Sequence, residues 1–246
     1  MANSASGLHD RVVTDHAGHC EDGSGVGPAN AQLVGGVWLP SNEKHLVEMM
    51  VHDTIRREVD GQLTYQYRKL ERALALVPED RRRRAVDIGA HVGLWSMQLV
   101  KHFEFVYAFE PNPVVADLWR WNVTAKNAAL REVALGKAQT TVGLKIYDGH
   151  SGHTQVSGGG DIPMATLDSF GFVDVDFIKI DVEGLEASVV KGAEDTIRRC
   201  RPVMVVEQKG EDARMGLKKD GALTWLQSIG MTPVDCIGGD YFLVWA

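Results

Sequence analysis

The stretch Asp87-Ile-Gly89-Ala-His91-Val-Gly93 decides the fold of this 246-residue chain. It closes an apolar run, Ala85–Ile88, that reads as a buried strand, and it precedes Leu94–His102, which reads as a helix. A glycine turn at the carboxyl end of a strand lets a ligand approach the backbone, and the following helix points its amino end at the same place. Outward from the turn the pattern repeats. Strands read at Phe105–Phe109, Glu132–Leu135, Phe177–Asp181 and Val203–Glu207, with helices at Val114–Asn127 and Leu185–Arg199. Pro202 stands just before the strand at Val203, where a missing N–H is tolerated. Strands alternating with helices predict an α/β, Rossmann-like fold, its mostly parallel sheet covered by helices on both faces. A helix near Ala222–Ile229 then leads to strands at Met231–Val234 and Tyr241–Trp245, joined by the hairpin-like turn Ile237-Gly-Gly-Asp240. Thr141–Pro163, with Ser157-Gly-Gly-Gly160 inside it, fits no helix and reads as an inserted hairpin or loop.

Upstream of the turn the pattern differs. Residues 1–34 are rich in Gly, Ser, Ala, Asn and Asp and lack a hydrophobic period, so they read as a flexible tail. The tail carries His9, His16, His19 and Cys20, without the second set of ligands that a zinc site needs. Residues 35–80 read as a helical segment with a lid role, one helix starting after Ser41 and Glu43 and another at Gln66–Leu76. Residues 81–246 form the main domain. Its first residues, Arg81–Arg84, suit either a phosphate patch or a solvated charge cluster at a strand entrance, and the second reading is preferred.

Apolar residues make up 44 % of the chain and charged residues 24 %, enough for a sizeable core. The formal net charge of −7 and the lack of interleaved basic and aromatic residues argue against nucleic acid and anionic membranes as partners. No apolar run approaches a bilayer span, and residues 1–13 lack the pattern of a secretory signal. Cys20, Cys200 and Cys236 are odd in number and widely spaced, which suits reduced thiols in a cytoplasmic setting.

The chemistry lies at the strand ends. Glu110 closes the second strand 23 positions beyond Asp87, where a carboxylate accepts hydrogen bonds from both ribose hydroxyls. Glycine turn and ribose acid together indicate an adenosine-containing ligand. A dinucleotide site wants a third glycine against its pyrophosphate, and here the spacing is only G-x-x-x-G with Asp87 just before it. Asp87 suits a ligand with a cationic amino-acid end, which favours S-adenosylmethionine. Asp181 ends the fourth strand on the ligand-binding edge, with Glu183 in the turn after it and Glu207 at the end of the fifth strand. Such carboxylates serve acid–base work or hold a divalent metal, whereas Glu183 also suits a helix cap.

The pieces AVDIGAHVGLWSMQLV, VYAFEPNP, EVALG, TLDSF and DFIKIDVEGLEASVVKGAEDTI resemble the FkbM family of S-adenosylmethionine-dependent methyltransferases over about residues 64–207. The resemblance implies a class I methyltransferase, with a seven-stranded sheet whose last strand is antiparallel, acting on hydroxyl oxygens of a small molecule or glycan. It implies that Asp87, Gly89 and Gly93 line the methionine end of the cofactor and that Glu110 binds the ribose. Ala134 and Leu135 pass the adenine, and Asp181 and Glu183 face the methyl group and the acceptor. Ala90, His91 and Pro111 are counted with the cofactor-binding residues. Asp181 and Glu183 are the first candidates for the acceptor's base, Glu207 and His153 the next, and no essential metal is expected. The alternatives are a Rossmann module that binds adenosylmethionine or a nucleotide without chemistry, a nicotinamide-dependent reductase, and an RNA methyltransferase.

Overall fold

The computed structural model describes residues 27–52, 58–208 and 221–246. The first residues of the segment read as tail, 1–26, with its histidines and Cys20, lie outside them. The chain opens with a hairpin, β1 (Ala31–Val34) and β2 (Val37–Pro40), then α1 (His45–His52), a short hairpin β3 (Glu58–Val59) and β4 (Gln62–Leu63), and α2 (Tyr67–Leu76). The main domain follows as β5 (Arg84–Ile88), α3 (Ser96–Leu99), β6 (Phe105–Phe109), α4 (Pro113–Asn122) and β7 (Ala128–Arg131). Next come β8 (Ala134–Leu135), β9 (Thr140–Lys145), β10 (Gln155–Ala165), β11 (Val175–Ile180), α5 (Glu186–Lys191), α6 (Glu194–Cys200) and β12 (Val203–Glu207). The chain ends with α7 (Gly221–Ser228), β13 (Met231–Ile237) and β14 (Asp240–Trp245).

The central sheet has seven strands in the order β13-β14-β12-β11-β5-β6-β7. β12, β11, β5, β6 and β7 run parallel, and β14 enters antiparallel beside β12. This is the expected Rossmann-like architecture with an antiparallel last strand. Strand alternation divides the core into two layers. Ala85, Phe177 and Val205 face one way, with Leu70 of α2 and Leu118 of α4. Val86, Ile178 and Val206 face the other, with Val189 of α5, Ile197 of α6 and Leu226 of α7.

Four elements differ from the expectation. The third sheet strand is Ala128–Arg131, in register with β6 from Val106↔Ala128 to Phe109↔Arg131, and not Glu132–Leu135. The apolar pair Ala134–Leu135 instead joins a separate three-stranded sheet through Met164 and Ala165 of β10. The helix after the glycine turn is short, because Lys101 and His102 bond back three residues rather than four, to Gln98 and Leu99. The single helix read at Leu185–Arg199 is two, interrupted at Gly192, where a Cβ would collide with the Gly136 carbonyl. Asp168 of the TLDSF piece bonds the amides of Asp195 and Thr196, satisfying the amino end of α6. Finally, Ala31–Val34 belongs to a strand and not to the tail. Its hairpin docks on the domain through Asn122, whose side chain bonds the Trp38 amide and carbonyl at 2.8 and 2.9 Å and the Val92 carbonyl at 2.8 Å.

The inserted segment is a hairpin, β9 with β10, irregular in register between Ser157 and Ile162 across the glycine run. The arginine run clamps the amino edge of the sheet, far along the strands from the ligand edge. Arg83 forks onto Asp176 at 2.7 and 2.9 Å, Arg84 pairs with Asp174, and Arg82 bonds the Leu74 and Val77 carbonyls near the end of α2. Cys200 is buried, Cys236 is exposed, and both are free thiols. Among the described residues no helix is long and apolar enough to cross a membrane.

Candidate active site

A cavity of about 260 Å³ opens at the carboxyl ends of β5, β6, β11 and β12. Its inner wall is the glycine turn. Gly89 has φ 75°, and a Cβ there would meet the Asp181 carbonyl, so the turn and the end of β11 pass backbone against backbone. The amides of Gly89 and Ala90 both bond the Phe109 carbonyl, which holds the turn against β6. His91 also has positive φ, 51°. That geometry aims its amide at Glu110.

Glu110 is buried at the lip. Its Oε2 accepts the His91 amide and its Oε1 the Asn112 amide, each at 2.9 Å. Burial pushes its pKa up to about 7 despite these two bonds. Each carboxylate oxygen retains acceptor capacity beyond its one amide, a pattern complementary to two vicinal hydroxyls. Asn112 also caps α4, its Oδ1 accepting the Val114 amide at 3.1 Å with Pro113 in the first turn. Pro111, Ala134 and Leu135 continue the wall from Glu110, offering apolar surface on which a flat base can lie.

Two residues assigned to the methionine end are not brought to the cavity wall. Asp87 is fully buried beneath the turn, accepting from Ser96 Oγ at 2.7 Å and facing Lys179 Nζ at 3.4 Å. Gly93 faces Trp119 and Val123, where it permits α4 to pack close. Lys179, on the neighbouring strand, does line the cavity. Its Nζ donates to the Gly89 carbonyl at 3.0 Å and lies 3.7 Å from Asp181 Oδ2. Burial alone would lower its pKa, but Asp87, Asp181, Glu207 and Asp240 outweigh it and hold the lysine charged, above its ordinary range.

The structure does bring Asp181, Glu183 and Glu207 together. Their carboxylates offer oxygens within 4.8 Å of one another, a spacing that suits a shared proton or a hard cation. The acid in the first turn of α5 is Glu186 and not Glu183, and its Oε1 accepts the Gly184 amide just ahead of the helix at 3.0 Å. Glu183 instead stands in a left-handed turn, φ 52°, with its Oε2 3.2 Å from His153 Nδ1.

A roof made of two segments covers the turn. Glu43, just before α1, is buried and accepts the Leu46 amide at 3.0 Å, the Ser151 amide at 2.7 Å and the Ser151 hydroxyl. Ser151 Oγ also lies 2.8 Å from His91 Nε2, so one carboxylate ties the amino-terminal segment, the inserted hairpin and the glycine turn. Burial raises the pKa of Glu43, but these hydrogen bonds outweigh it and hold the group below the ordinary range. Burial lowers that of His91 to about 4, so its ring is neutral at physiological pH. Asn42 bonds Asp148, and His45 stacks on His150 with ring centroids 4.2 Å apart.

A family model described as Methyltransferase FkbM domain matches residues 87–230. The chain belongs to the FkbM methyltransferase family. The matched stretch holds the turn, Glu110, Asp181, Glu183 and Glu207, so most of the cavity wall lies within the methyltransferase domain, whereas His45, Leu46, Tyr65 and Gln66, which also line it, lie outside that stretch. Among solved structures, the chain is similar to the FkbM methyltransferase of Methylobacillus flagellatus KT, at 18 % identity and a TM-score of 0.45. That match covers 68 % of this chain and only 44 % of the other. It is also similar to precorrin-6y C5,15-methyltransferase from Geobacter metallireducens GS-15 (16 % identity, TM-score 0.47, 78 % of this chain and 93 % of that one). A third is the N-methyltransferase NodS from Bradyrhizobium japonicum WM9 in complex with S-adenosyl-L-homocysteine (11 %, 0.46, 73 % and 85 %). No curated protein matches the chain.

Sequence reasoning missed Lys179, Glu43 and Ser151. Only the first had a signal. Strand alternation places a lysine between Phe177 and Asp181 on one face of a strand that is buried throughout, where a lysine is rare without a paired acid.

Proposed function

We propose that this FkbM-family methyltransferase uses S-adenosylmethionine to methylate a hydroxyl oxygen on a small molecule or glycan. The observation that carries the reading is Glu110, both oxygens oriented by backbone amides at the lip of the cavity that also holds Asp181, Glu183 and Glu207. The residues present fit such a cofactor. Glu110 matches the ribose hydroxyls, Ala134 and Leu135 match the adenine, and the charged pair Lys179 and Asp181 lies beside the turn, where the amino-acid end belongs. When bound, the cofactor supplies an electrophilic methyl group on a sulfonium.

The rest of the chemistry falls to the chain. Transfer is an in-line displacement, so holding the acceptor oxygen in line is the enzyme's largest lever. The roof of Ser151–His153, latched by Glu43, limits water at the site. Glu183 takes the acceptor's proton in this reading, since His153 Nδ1 beside it, partly open to solvent, offers the proton an exit. Glu183 and Glu207 make the acceptor side acidic, which favours an uncharged hydroxyl compound over a phosphate-rich one.

Incubation with methyl-labelled S-adenosylmethionine and pools of glycans, small alcohols and RNA, followed by mass analysis, tests the reading. An oxygen-linked methyl on a small molecule or glycan supports it. Label confined to RNA or to nitrogen refutes it, as does tighter binding of NAD than of S-adenosylhomocysteine.

A further inference from the structure

S-adenosylmethionine ends in an α-amino acid, a zwitterion whose ammonium and carboxylate lie a few ångströms apart. A wall that binds it needs an anion and a cation at matching separation, next to the nucleoside site. Asp87 is fully buried and does not reach the wall. Lys179 and Asp181 do, from the same face of β11, with Lys179 Nζ and Asp181 Oδ2 3.7 Å apart and both beside the turn that leads to Glu110. We infer that Lys179 is the cation that receives the cofactor's carboxylate, with Asp181 facing its ammonium. The inference rests on the cofactor reading above and adds to it the recognition of the amino-acid end.

Three observations support it. Lys179 is only 4 % exposed, and burying an ammonium is costly unless a function or a full set of partners holds it there. Its partners are incomplete. An ammonium has three N–H groups, and Lys179 makes one hydrogen bond, to the Gly89 carbonyl. Asp87 Oδ1 at 3.4 Å and Asp181 at 3.7 Å supply charge without hydrogen-bond geometry. The position also suits the task, because the carbonyl that Lys179 holds belongs to the residue whose backbone abuts Asp181. A carboxylate arriving there completes the donor set. Asp87 then serves as the buried counter-charge that keeps the lysine ionised, a positioning role behind the wall.

Calorimetric titration of the full chain tests this with three probes: S-adenosylhomocysteine, its decarboxylated analogue, which keeps the amine, and 5′-methylthioadenosine, which lacks both groups. The readout is the ratio of affinities, because loss of the Gly89 bond alone would weaken every probe alike. The wild type should prefer S-adenosylhomocysteine to the decarboxylated analogue by about tenfold or more, the worth of one charge-assisted hydrogen bond. Lys179→Met should bring that ratio to within about threefold of unity, and Lys179→Arg should retain part of the preference. A wild-type protein without the preference overturns the inference, and so does a Lys179→Met protein that keeps it. Should Lys179→Met fail to fold, the wild-type ratio and the Arg variant decide. If the wild type binds none of the three probes, the cofactor reading falls and this inference falls with it. Binding of 5′-methylthioadenosine with no added affinity from the amino-acid end refutes the inference alone.

Discussion

With Glu110 as the ribose acid, ligand affinity should depend on pH. In the free protein burial raises its pKa from 4.5 to about 7, so at pH 6 only about a tenth of the molecules carry the carboxylate. Ribose hydroxyls donate to the charged form, and binding therefore draws the group into ionisation and releases a proton. Affinity for S-adenosylhomocysteine should rise about tenfold per pH unit up to about pH 7 and then level off. The same shift works against the free protein. A carboxyl whose folded pKa is raised contributes stability that is complete below its unfolded value and lost as pH rises through the folded one. Between pH 4.5 and about 7 this amounts to about 3 kcal/mol, and bound hydroxyls offset it. The thermal shift produced by ligand should thus be larger at pH 8 than at pH 6.

Titration calorimetry at several pH values, in buffers of differing ionisation enthalpy, measures both the affinity and the proton released. Of the groups hydrogen-bonded at the turn, His91 has a pKa of about 4 and Glu43 lies below the ordinary carboxylate range, so neither titrates in this window. Glu110→Gln sets an amide N–H against one of the two backbone donors, so it should weaken binding by about tenfold or more at every pH and abolish the slope. An affinity that stays flat from pH 5.5 to 8 in the wild type, or a slope that survives in Glu110→Gln, would refute the reasoning.

Other perturbations separate the remaining roles. Glu183→Gln should lower kcat by about a hundredfold or more while the dissociation constant of S-adenosylhomocysteine stays within about threefold, and comparable turnover by variant and wild type would remove Glu183 as the base. Glu43→Ala leaves the Ser151 and Leu46 amides without their acceptor, at a cost of about 1–3 kcal/mol. It should also speed dissociation of bound ligand, read by stopped-flow displacement, and an unchanged off-rate would mean that the roof does not gate the site. Asp87→Asn removes the nearest counter-charge of a buried lysine and should destabilise the fold by about 3–5 kcal/mol, visible as a lowered Tm without ligand.

The parts of the fold that were legible in the sequence are those where one local signal has one meaning. β5, β6, β11 and β12 are short apolar runs that end in an acid or a glycine turn. Their carboxyl ends mark the ligand edge, so Glu110, Asp181 and Glu207 fall at the cavity as read. β7 was not legible. Ala128-Ala-Leu-Arg131 has the composition of a helix end, and only pairing with β6 makes it a strand, while the more strand-like Val133-Ala-Leu135 is drawn off to β10. The break in the long helix at Gly192 was hidden for a related reason, because its cause is the backbone of Gly136, which lies elsewhere in the chain.

The site divides along the same line. An acid before a glycine turn looks alike in sequence whether it faces a ligand or a buried lysine, and what decides for Asp87 is Lys179, 92 positions away on the neighbouring strand of the sheet. The roof is less local still. Glu43 meets Ser151 across 108 positions, and each is unremarkable in its own segment, one before a helix and one in a loop. Their union places residues from outside the FkbM match against a cavity built inside it. The glycine turn, Glu110 and the strand-end acids lie within the matched domain. His45 and Leu46 reach the cavity at the start of α1, which Glu43 ties to Ser151, while Gln66 is held there by the Trp95 indole N–H at 3.1 Å. Through Ser151 the carboxylate of Glu43 is joined to the ring of His91, whose own amide is held by Glu110, so the clasp and the turn share one hydrogen-bonded chain.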